Sequence, residues 1–291
     1  MTSSDNSGFE IRTVGVVGCG LMGSGIAQVC AQAGYPTTVR EVDKSTVEYG
    51  LARIDKFLAA GVKRKKLSRE AQEQTMAALF GTTELEDLSE CDLIIEAVVE
   101  DLEVKREVLI ELDGCVRRDA IFASNTSSLC ITEMASLTTR PNRFLGLHFF
   151  SPVPVMSMVE VVKGLTTSEE TYQVGIGFIK SIGKTAVSAP DQPGFIVNRL
   201  LIPYLLHAIR MYDAGLGTVN DIDKSMTLGC GHPMGPFALL DFVGLDTTYY
   251  IAQIMHDEFH DPSYSPPPLL KRMVLAGRLG RKSGRGFYIY S

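Results

Sequence analysis

Three residues whose side chains suit acid–base chemistry, His148, Glu160 and Asn198, follow a glycine-rich loop by well over a hundred residues. A histidine exchanges a proton near neutral pH, a buried carboxylate can orient it, and an amide can hold a substrate oxygen. The loop, Gly18-Cys19-Gly20-Leu21-Met22-Gly23, has the GxGxxG spacing of a dinucleotide-binding turn. Together these features predict a site that oxidises an alcohol by hydride transfer.

The glycine loop lies in the order of elements that such a turn requires. A β-branched run at Thr13–Val17 precedes it, Leu21–Ala33 predicts a helix closing at Gly34, and Thr37–Val39 predicts a second strand. The helix N-terminus would then face the pyrophosphate with free N–H groups. We therefore expect the loop to contact the cofactor through Gly18, Gly20, Leu21, Met22 and Gly23.

Glu41 follows the second predicted strand, 18 residues after Gly23. A carboxylate there can accept both ribose hydroxyls of an adenosine and would repel a 2′-phosphate, which favours NAD over NADP. The neighbouring Arg40 could rescue NADP binding, but alternation along a strand turns adjacent side chains to opposite faces. We keep NAD as the predicted cofactor.

The first part of the chain predicts an α/β domain, residues 1–191, with a polar tail at 1–10. Its further helices are predicted within Lys44–Leu79 (two helices), Leu102–Leu112 and Glu169–Ser181, and its further strands at Asp92–Val98, Ala120–Ala123, Phe144–Phe149, Met158–Val162 and Lys184–Ser188. In open α/β sheets, ligands bind at the carboxyl ends of the strands, which is where Ser127 and His148 fall.

A turn cluster at Asp191–Gly194 predicts the boundary of a second domain, residues 192–291. The segments that follow predict helices at Phe195–Ala214, from Thr218, at Phe237–His260 and at Leu269–Ala276. The predicted fold class is thus α/β, a Rossmann-like NAD-binding domain followed by an all-helical C-terminal domain.

Composition excludes several classes of function. A net charge of −6 argues against nucleic-acid binding, which needs a cationic face. The N-terminus lacks the features of a signal peptide, and no apolar run reaches membrane-spanning length.

Six scattered cysteines predict reduced thiols in a cytoplasmic protein. His256 and His260 have helical spacing, but no third ligand is apparent, so we expect no metal site.

Six segments together resemble the short-chain (S)-3-hydroxyacyl-CoA dehydrogenases, which include the bacterial 3-hydroxybutyryl-CoA dehydrogenases. They are Asn125–Leu129, Gly146–Pro154, Val159–Val161, Pro193–Arg199, His232–Pro236 and Gly280–Tyr288. The resemblance covers Thr13 to Tyr290. It implies NAD-dependent, reversible oxidation of an acyl-CoA substrate and a homodimer formed through the helical domain.

The same resemblance implies roles for individual residues. His148 would be the general base and Glu160 its carboxylate partner, while Ser127 and Asn198 would hold the substrate oxygen and the histidine in register. Further cofactor contacts would come from Ala97, Glu100, Lys105, Ser127, Ser151 and Lys282.

Three positions complicate this picture. Ser151 stands where the family usually has asparagine, so we expect its nicotinamide contact to be weaker or water-mediated. Phe57 and Arg64 stand where relatives often carry a serine and a lysine that touch CoA. Arg64 keeps the charge and can bind a phosphate. The basic run Lys63–Lys66 that contains it either binds the phosphates of CoA or is a charged surface exposed to solvent. Phe57 cannot replace a hydroxyl.

Two other functions stay open at this stage. Phe57 motivates a CoA-independent hydroxyacid or sugar-acid dehydrogenase on the same fold. A non-catalytic NAD-binding protein is the third hypothesis, and the set of Ser127, His148, Glu160 and Asn198 argues against it.

Overall fold

The computed structural model describes residues 9–290, which divide into two compact units, one ending at Asp191 and the other beginning at Gln192. Residues 1–8 of the predicted polar tail lie outside the described residues. Across the described part of the chain, no helix is long and apolar enough to cross a membrane.

The first unit is built on one sheet, in the order β3-β2-β1-β4-β5-β6-β7-β8. All neighbouring strands are parallel except β6 and β7, which run antiparallel. The strands are β1 (Val14–Val17), β2 (Thr37–Arg40), β3 (Leu79–Thr82), β4 (Leu93–Glu96), β5 (Ile121–Ser124), β6 (Phe144–Phe149), β7 (Met158–Lys163) and β8 (Thr185–Pro190).

The helices of this unit are α1 (Leu21–Gln32), α2 (Lys44–Lys63), α3 (Arg69–Ala77), α4 (Leu102–Cys115), α5 (Ile131–Ser136) and α6 (Glu169–Ser181). Most begin at a side chain that accepts a backbone N–H of the first turn, such as Asp43 for α2 and Ser68 for α3. α1 is different, because it begins at Gly20 with no side-chain cap. Its first N–H groups are therefore left for another partner.

Alternation along the strands separates the two faces of this sheet. Leu147 and Phe149 of β6 and Val159 and Val161 of β7 join an apolar cluster that includes residues of α1, α2 and α6. Because successive side chains of a strand point to opposite faces, the residues between them point away from that cluster. His148 and Glu160 are two of these residues.

The second unit is helical and has its own buried core. Its helices are α7 (Val197–Asp213), α8 (Val219–Lys224), α9 (Pro236–Val243), α10 (Leu245–Phe259) and α11 (Pro268–Leu275), with a π-helical turn at Ser225–Gly229 and 3-10 turns at Pro262–Tyr264 and Arg281–Ser283. The buried carboxylate of Asp241 accepts the backbone N–H groups of Phe287 and Tyr288 at 2.9 and 2.8 Å, which fixes the C-terminal segment on this core.

The predicted fold class is confirmed, but several elements differ from prediction. The helix predicted to reach Leu79 ends at Ala77, since Leu79 begins β3, which pairs with β2. The single helix predicted over Phe237–His260 is two helices, because Gly244 breaks it with φ +104°. The short helix α5 and the π-helical turn were not predicted.

Candidate active site

His148 and Glu160 are paired across two antiparallel strands. They lie directly opposite each other in the register of β6 and β7, and His148 Nδ1 is 2.7 Å from Glu160 Oε2. His148 is 6% exposed and Glu160 is fully buried. With Nδ1 donating to the carboxylate, the other ring nitrogen, Nε2, is left with a lone pair. The pair can therefore accept and return a proton at Nε2.

The loop after β5 is organised by the carboxylate of Glu100. Its Oε1 accepts the Thr126 hydroxyl at 2.6 Å and the backbone N–H groups of Ser127 and Ser128 at 2.8 and 3.2 Å. Burial raises the pKa of Glu100, but the charge of Lys105 and these hydrogen bonds outweigh it, so the pKa lies below its ordinary value. Glu100 is thus charged and holds the backbone that carries Ser127.

Lys105 lies between the carboxylates of Glu96 and Glu100, next to the loop that carries Ser127. Its ammonium is 2.6 Å from Glu96 Oε1 and 3.4 Å from Glu100 Oε2, and the side chain is fully buried. Glu96 also accepts the Ser124 hydroxyl at 2.6 Å and the Val98 N–H at 2.8 Å. The three charged groups connect the ends of β4 and β5 with α4. In this structure Lys105 is occupied in holding these carboxylates.

The glycine loop fits a dinucleotide pyrophosphate. Gly18 has φ +95°, and a Cβ there would lie 2.6 Å from the carbonyl oxygen of Ala97. A Cβ at Gly20 would meet nothing within 4 Å, so there is open space in front of the uncapped N-terminus of α1. Leu21 is exposed beside this space. Free N–H groups facing open space are the arrangement that binds a phosphate.

Glu41 is fixed against the same loop. Its Oε1 accepts the N–H of Cys19 at 2.7 Å and its Oε2 accepts the N–H of Val42 at 3.0 Å. Arg40 is directed elsewhere, because its Nε donates to the carbonyl of Thr83 at 3.2 Å. The Glu41 carboxylate is therefore not paired with Arg40, and a carboxylate in this position suits a ribose that carries no 2′-phosphate. Burial, together with the charge of Glu41, raises the pKa of the Cys19 thiol to about 11, so this thiol stays protonated.

Ser151 lies in the loop that follows β6, and Lys184 holds this loop in place. The Lys184 ammonium donates to the carbonyls of Val153 at 2.7 Å and Met156 at 2.6 Å. Burial lowers the pKa of Lys184. Two main-chain contacts through one side chain restrict the path of the loop that presents Ser151.

Two of the predicted site residues belong to the second unit. Asn198 is buried in the first turns of α7. Lys282 donates to Asp246 Oδ2 at 2.7 Å and is half exposed. On α2 of the first unit, Phe57 is exposed, and Arg64 is an exposed residue at the end of the helix.

Sequence reasoning missed several residues that hold the site. Glu96 was treated only as part of a strand, although a charged residue inside an apolar strand is the same signal that identified Glu160. Lys184 and Asp246 gave no signal, because their partners are distant in the sequence. Across residues 9–290, no group of three or more His, Cys, Asp or Glu side chains could hold a metal ion.

Comparison with known proteins covers both units. Residues 13–192 match the family described as 3-hydroxyacyl-CoA dehydrogenase, NAD binding domain, and residues 194–290 match 3-hydroxyacyl-CoA dehydrogenase, C-terminal domain. The chain is 51% identical over 282 residues to the 3-hydroxybutyryl-CoA dehydrogenase of Mycobacterium tuberculosis, which covers 96% of this chain and 99% of the relative.

Two crystal structures show the same fold throughout. FadB2 of M. tuberculosis is 51% identical with a TM-score of 0.95, over 97% of this chain and 100% of that one. The (S)-3-hydroxybutyryl-CoA dehydrogenase PaaH1 of Ralstonia eutropha is 43% identical with a TM-score of 0.93, over the same shares.

Proposed function

Because the chain belongs to the 3-hydroxyacyl-CoA dehydrogenase family, we propose that it interconverts (S)-3-hydroxybutyryl-CoA and acetoacetyl-CoA, with His148 as the general base. The protein is an NAD-dependent 3-hydroxyacyl-CoA dehydrogenase and acts on acyl-CoA substrates. Beyond this family activity, we propose the preference for a short acyl chain and the roles of individual residues. The buried pair of His148 and Glu160, with Nδ1 and Oε2 2.7 Å apart, carries the role of His148. The relatives named 3-hydroxybutyryl-CoA dehydrogenase support the short acyl chain.

In the oxidation, His148 Nε2 removes the proton of the substrate hydroxyl. Glu160 accepts a hydrogen bond from Nδ1, which fixes the tautomer and stabilises the imidazolium that forms. Bound NAD supplies the acceptor for the hydride that leaves C3. In the reverse direction the imidazolium polarises the ketone and returns the proton. Acid–base catalysis of this kind contributes roughly 10²–10⁴-fold to the rate.

The remaining site residues bind and orient. The N–H groups at Gly20 and the start of α1 would hold the pyrophosphate, and Glu41 would accept the adenosine ribose hydroxyls. Further contacts to the cofactor are assigned to Leu21, Met22, Ala97, Glu100, Ser127, Ser151 and Lys282. Lys105 was predicted to contact the cofactor as well, but its buried ammonium is bound by Glu96 and Glu100, so it is assigned to the support of the loop that carries Ser127. Ser127 and Asn198 are assigned to the substrate oxygen.

Arg64 and its basic neighbours are assigned to the phosphates of CoA. Exposed guanidinium and ammonium groups at the end of α2 can bind phosphate through charge-assisted hydrogen bonds. Exposed Phe57 on the same helix offers an apolar surface in place of a hydroxyl. The membership of the chain in the 3-hydroxyacyl-CoA dehydrogenase family argues against the CoA-independent dehydrogenase that Phe57 suggested in the sequence.

We further propose a homodimer in the cytoplasm, formed through the helical unit. The second unit exposes large apolar side chains that a partner could cover, including Leu200, Leu216 and Leu228. The scattered cysteines suit a reducing compartment. Light scattering at several protein concentrations would test the dimer, and a monomer at all of them would refute it.

The substrate assignment is tested by NADH oxidation with acetoacetyl-CoA, run beside free acetoacetate and beside NADPH. We expect rapid turnover only with NADH and the thioester. Equal turnover of the free acid would contradict the assignment of the thioester as the substrate. A series of longer 3-ketoacyl-CoA esters tests the chain length, and a higher kcat/KM for a long ester would contradict the short-chain assignment.

A further inference from the structure

The strand that carries His148 loses one neighbour before it reaches the histidine. β6 pairs with β5 only as far as Gly146, which lies opposite Ser124. On its other side, β7 accompanies β6 to Phe149, opposite Val159. Strand pairing therefore holds the backbone at His148 from one side only.

Asn125, the residue after β5, supplies a contact on the open side. Its Oδ1 accepts the backbone N–H of Phe149 at 2.9 Å. This N–H belongs to the peptide group that joins His148 to Phe149, so the contact fixes the backbone at the base of the imidazole. Asn125 is itself anchored, since its own N–H donates to the carbonyl of Glu96 at 2.8 Å.

The same loop carries Ser127 two residues later. Glu100 holds the backbone of Ser127 at 2.8 Å, while Asn125 holds the strand of His148. The short segment from Asn125 to Ser127 thus links the backbone that carries Ser127, after β5, to the backbone that carries His148, on β6. Displacements of about 1 Å at a reacting group can cost about 10²-fold in rate, so such a connection has a catalytic consequence.

We propose that Asn125 is a positioning residue for the reaction, which fixes the direction of the His148 imidazole through the Phe149 peptide. The inference rests on the proposed role of His148 as the base. It assigns no contact between Asn125 and the substrate or the cofactor.

Two substitutions of similar size separate this role from simple packing. Asn125→Leu removes the acceptor, and we expect kcat with acetoacetyl-CoA to fall by about tenfold or more, with KM for NADH unchanged. Asn125→Asp keeps an acceptor and should recover most of the lost kcat near neutral pH. Its added charge near the imidazole favours the imidazolium, so the pH profile of kcat/KM should shift upward.

Thr167→Val is the matched control, because Thr167 lies outside β6 but binds the first residue of that strand. The Thr167 hydroxyl donates to the carbonyl of Phe144 at 2.6 Å and accepts the N–H of Gly164 at 3.0 Å, at the other end of β6. This variant removes a similar side-chain contact to the backbone away from His148. We expect it to lower thermal stability and to leave kcat and the pH profile unchanged.

Several results would overturn the inference. Wild-type kcat in Asn125→Leu would do so, as would equal losses in the leucine and aspartate variants without a shift in pH profile. If the leucine variant does not fold, Asn125→Ala, which also removes the acceptor, takes its place, and wild-type kcat in that variant refutes the role. Full activity in His148→Gln would instead refute the proposed function itself.

Discussion

The ammonium of Lys105 lies 2.6 Å from a carboxylate oxygen of Glu96, and both side chains are fully buried. Such a pair at the end of a central strand needs its full set of hydrogen bonds, because removing one partner leaves an uncompensated charge in the protein interior. The Glu100 carboxylate lies on the other side of Lys105, at 3.4 Å. The loop that carries Ser127 is therefore supported by three coupled charges.

Lys105→Met should destabilise the protein strongly. It leaves Glu96 buried without its ammonium, and breaking a buried pair in this way costs about 3–5 kcal/mol. Arg106→Met on the same helix is the control, because the pair of Arg106 and Glu103 is largely solvated and should contribute less than about 1 kcal/mol. Urea unfolding measures both. Equal effects of the two substitutions would contradict the account of the buried cluster.

Glu100 should make stability depend on pH in the acid range. Its folded pKa lies below the ordinary value, so the charged carboxylate contributes stability above its unfolded pKa of about 4.3. That contribution is lost as the pH falls through the folded pKa. The free energy of unfolding should therefore fall less steeply below about pH 4.3 in Glu100→Gln than in the wild type.

A suitable control for this measurement lies on the same helix. Glu107 is exposed on α4, so Glu107→Gln should leave the acid dependence of the wild type intact. An identical acid profile in the Glu100 and Glu107 variants would show that Glu100 does not hold its loop as a charged group.

Parts of this site could be predicted from the sequence. The glycine loop has a specific spacing between two strands, and Glu160 is a charged residue within an apolar strand, so both gave local signals. Lys105 gave none, because a lysine on a polar helix usually lies in solvent, and its burial depends on how α4 packs. The contact between Asn125 and Phe149 depends on where the pairing of β5 and β6 ends, which is a tertiary property.

The differences in the fold have similar causes. β3 is a four-residue strand at the edge of the sheet, and its pairing with β2 stabilises it. Its own residues are too few to show a strand pattern, so the sequence did not distinguish β3 from the end of a helix. Gly244 lies within a continuous apolar pattern, and a glycine there is compatible with an unbroken helix or with a break. In the structure the φ of Gly244 is positive, which an α-helix does not allow, so the helix breaks there.

Glu41 should set the preference for NADH over NADPH. Glu41→Gln keeps an oxygen for the Cys19 N–H but removes the charge that would repel a 2′-phosphate. We expect the ratio of kcat/KM for NADH to that for NADPH to fall by about tenfold or more, equivalent to about 1.4 kcal/mol. Glu48→Gln, an exposed position on α2, is the control. An unchanged ratio would remove Glu41 from cofactor selection.

Glu160→Gln should lower kcat without weakening NADH binding. The amide can hold the imidazole at Nδ1 but cannot stabilise the imidazolium by its charge, so the loss should be about 10²-fold or more. Glu169→Gln, whose carboxylate forms an exposed pair with Lys163, should behave like the wild type. Stopped-flow kinetics with acetoacetyl-CoA measure the step, and a loss confined to KM would contradict the assigned role.

The central claim is that His148 transfers the proton. The most direct test is NADH oxidation by His148→Gln with acetoacetyl-CoA, together with NADH binding by fluorescence on the same sample. We expect unchanged binding and a fall in kcat of roughly 10²–10⁴-fold. Wild-type turnover in a folded His148→Gln protein would contradict this claim.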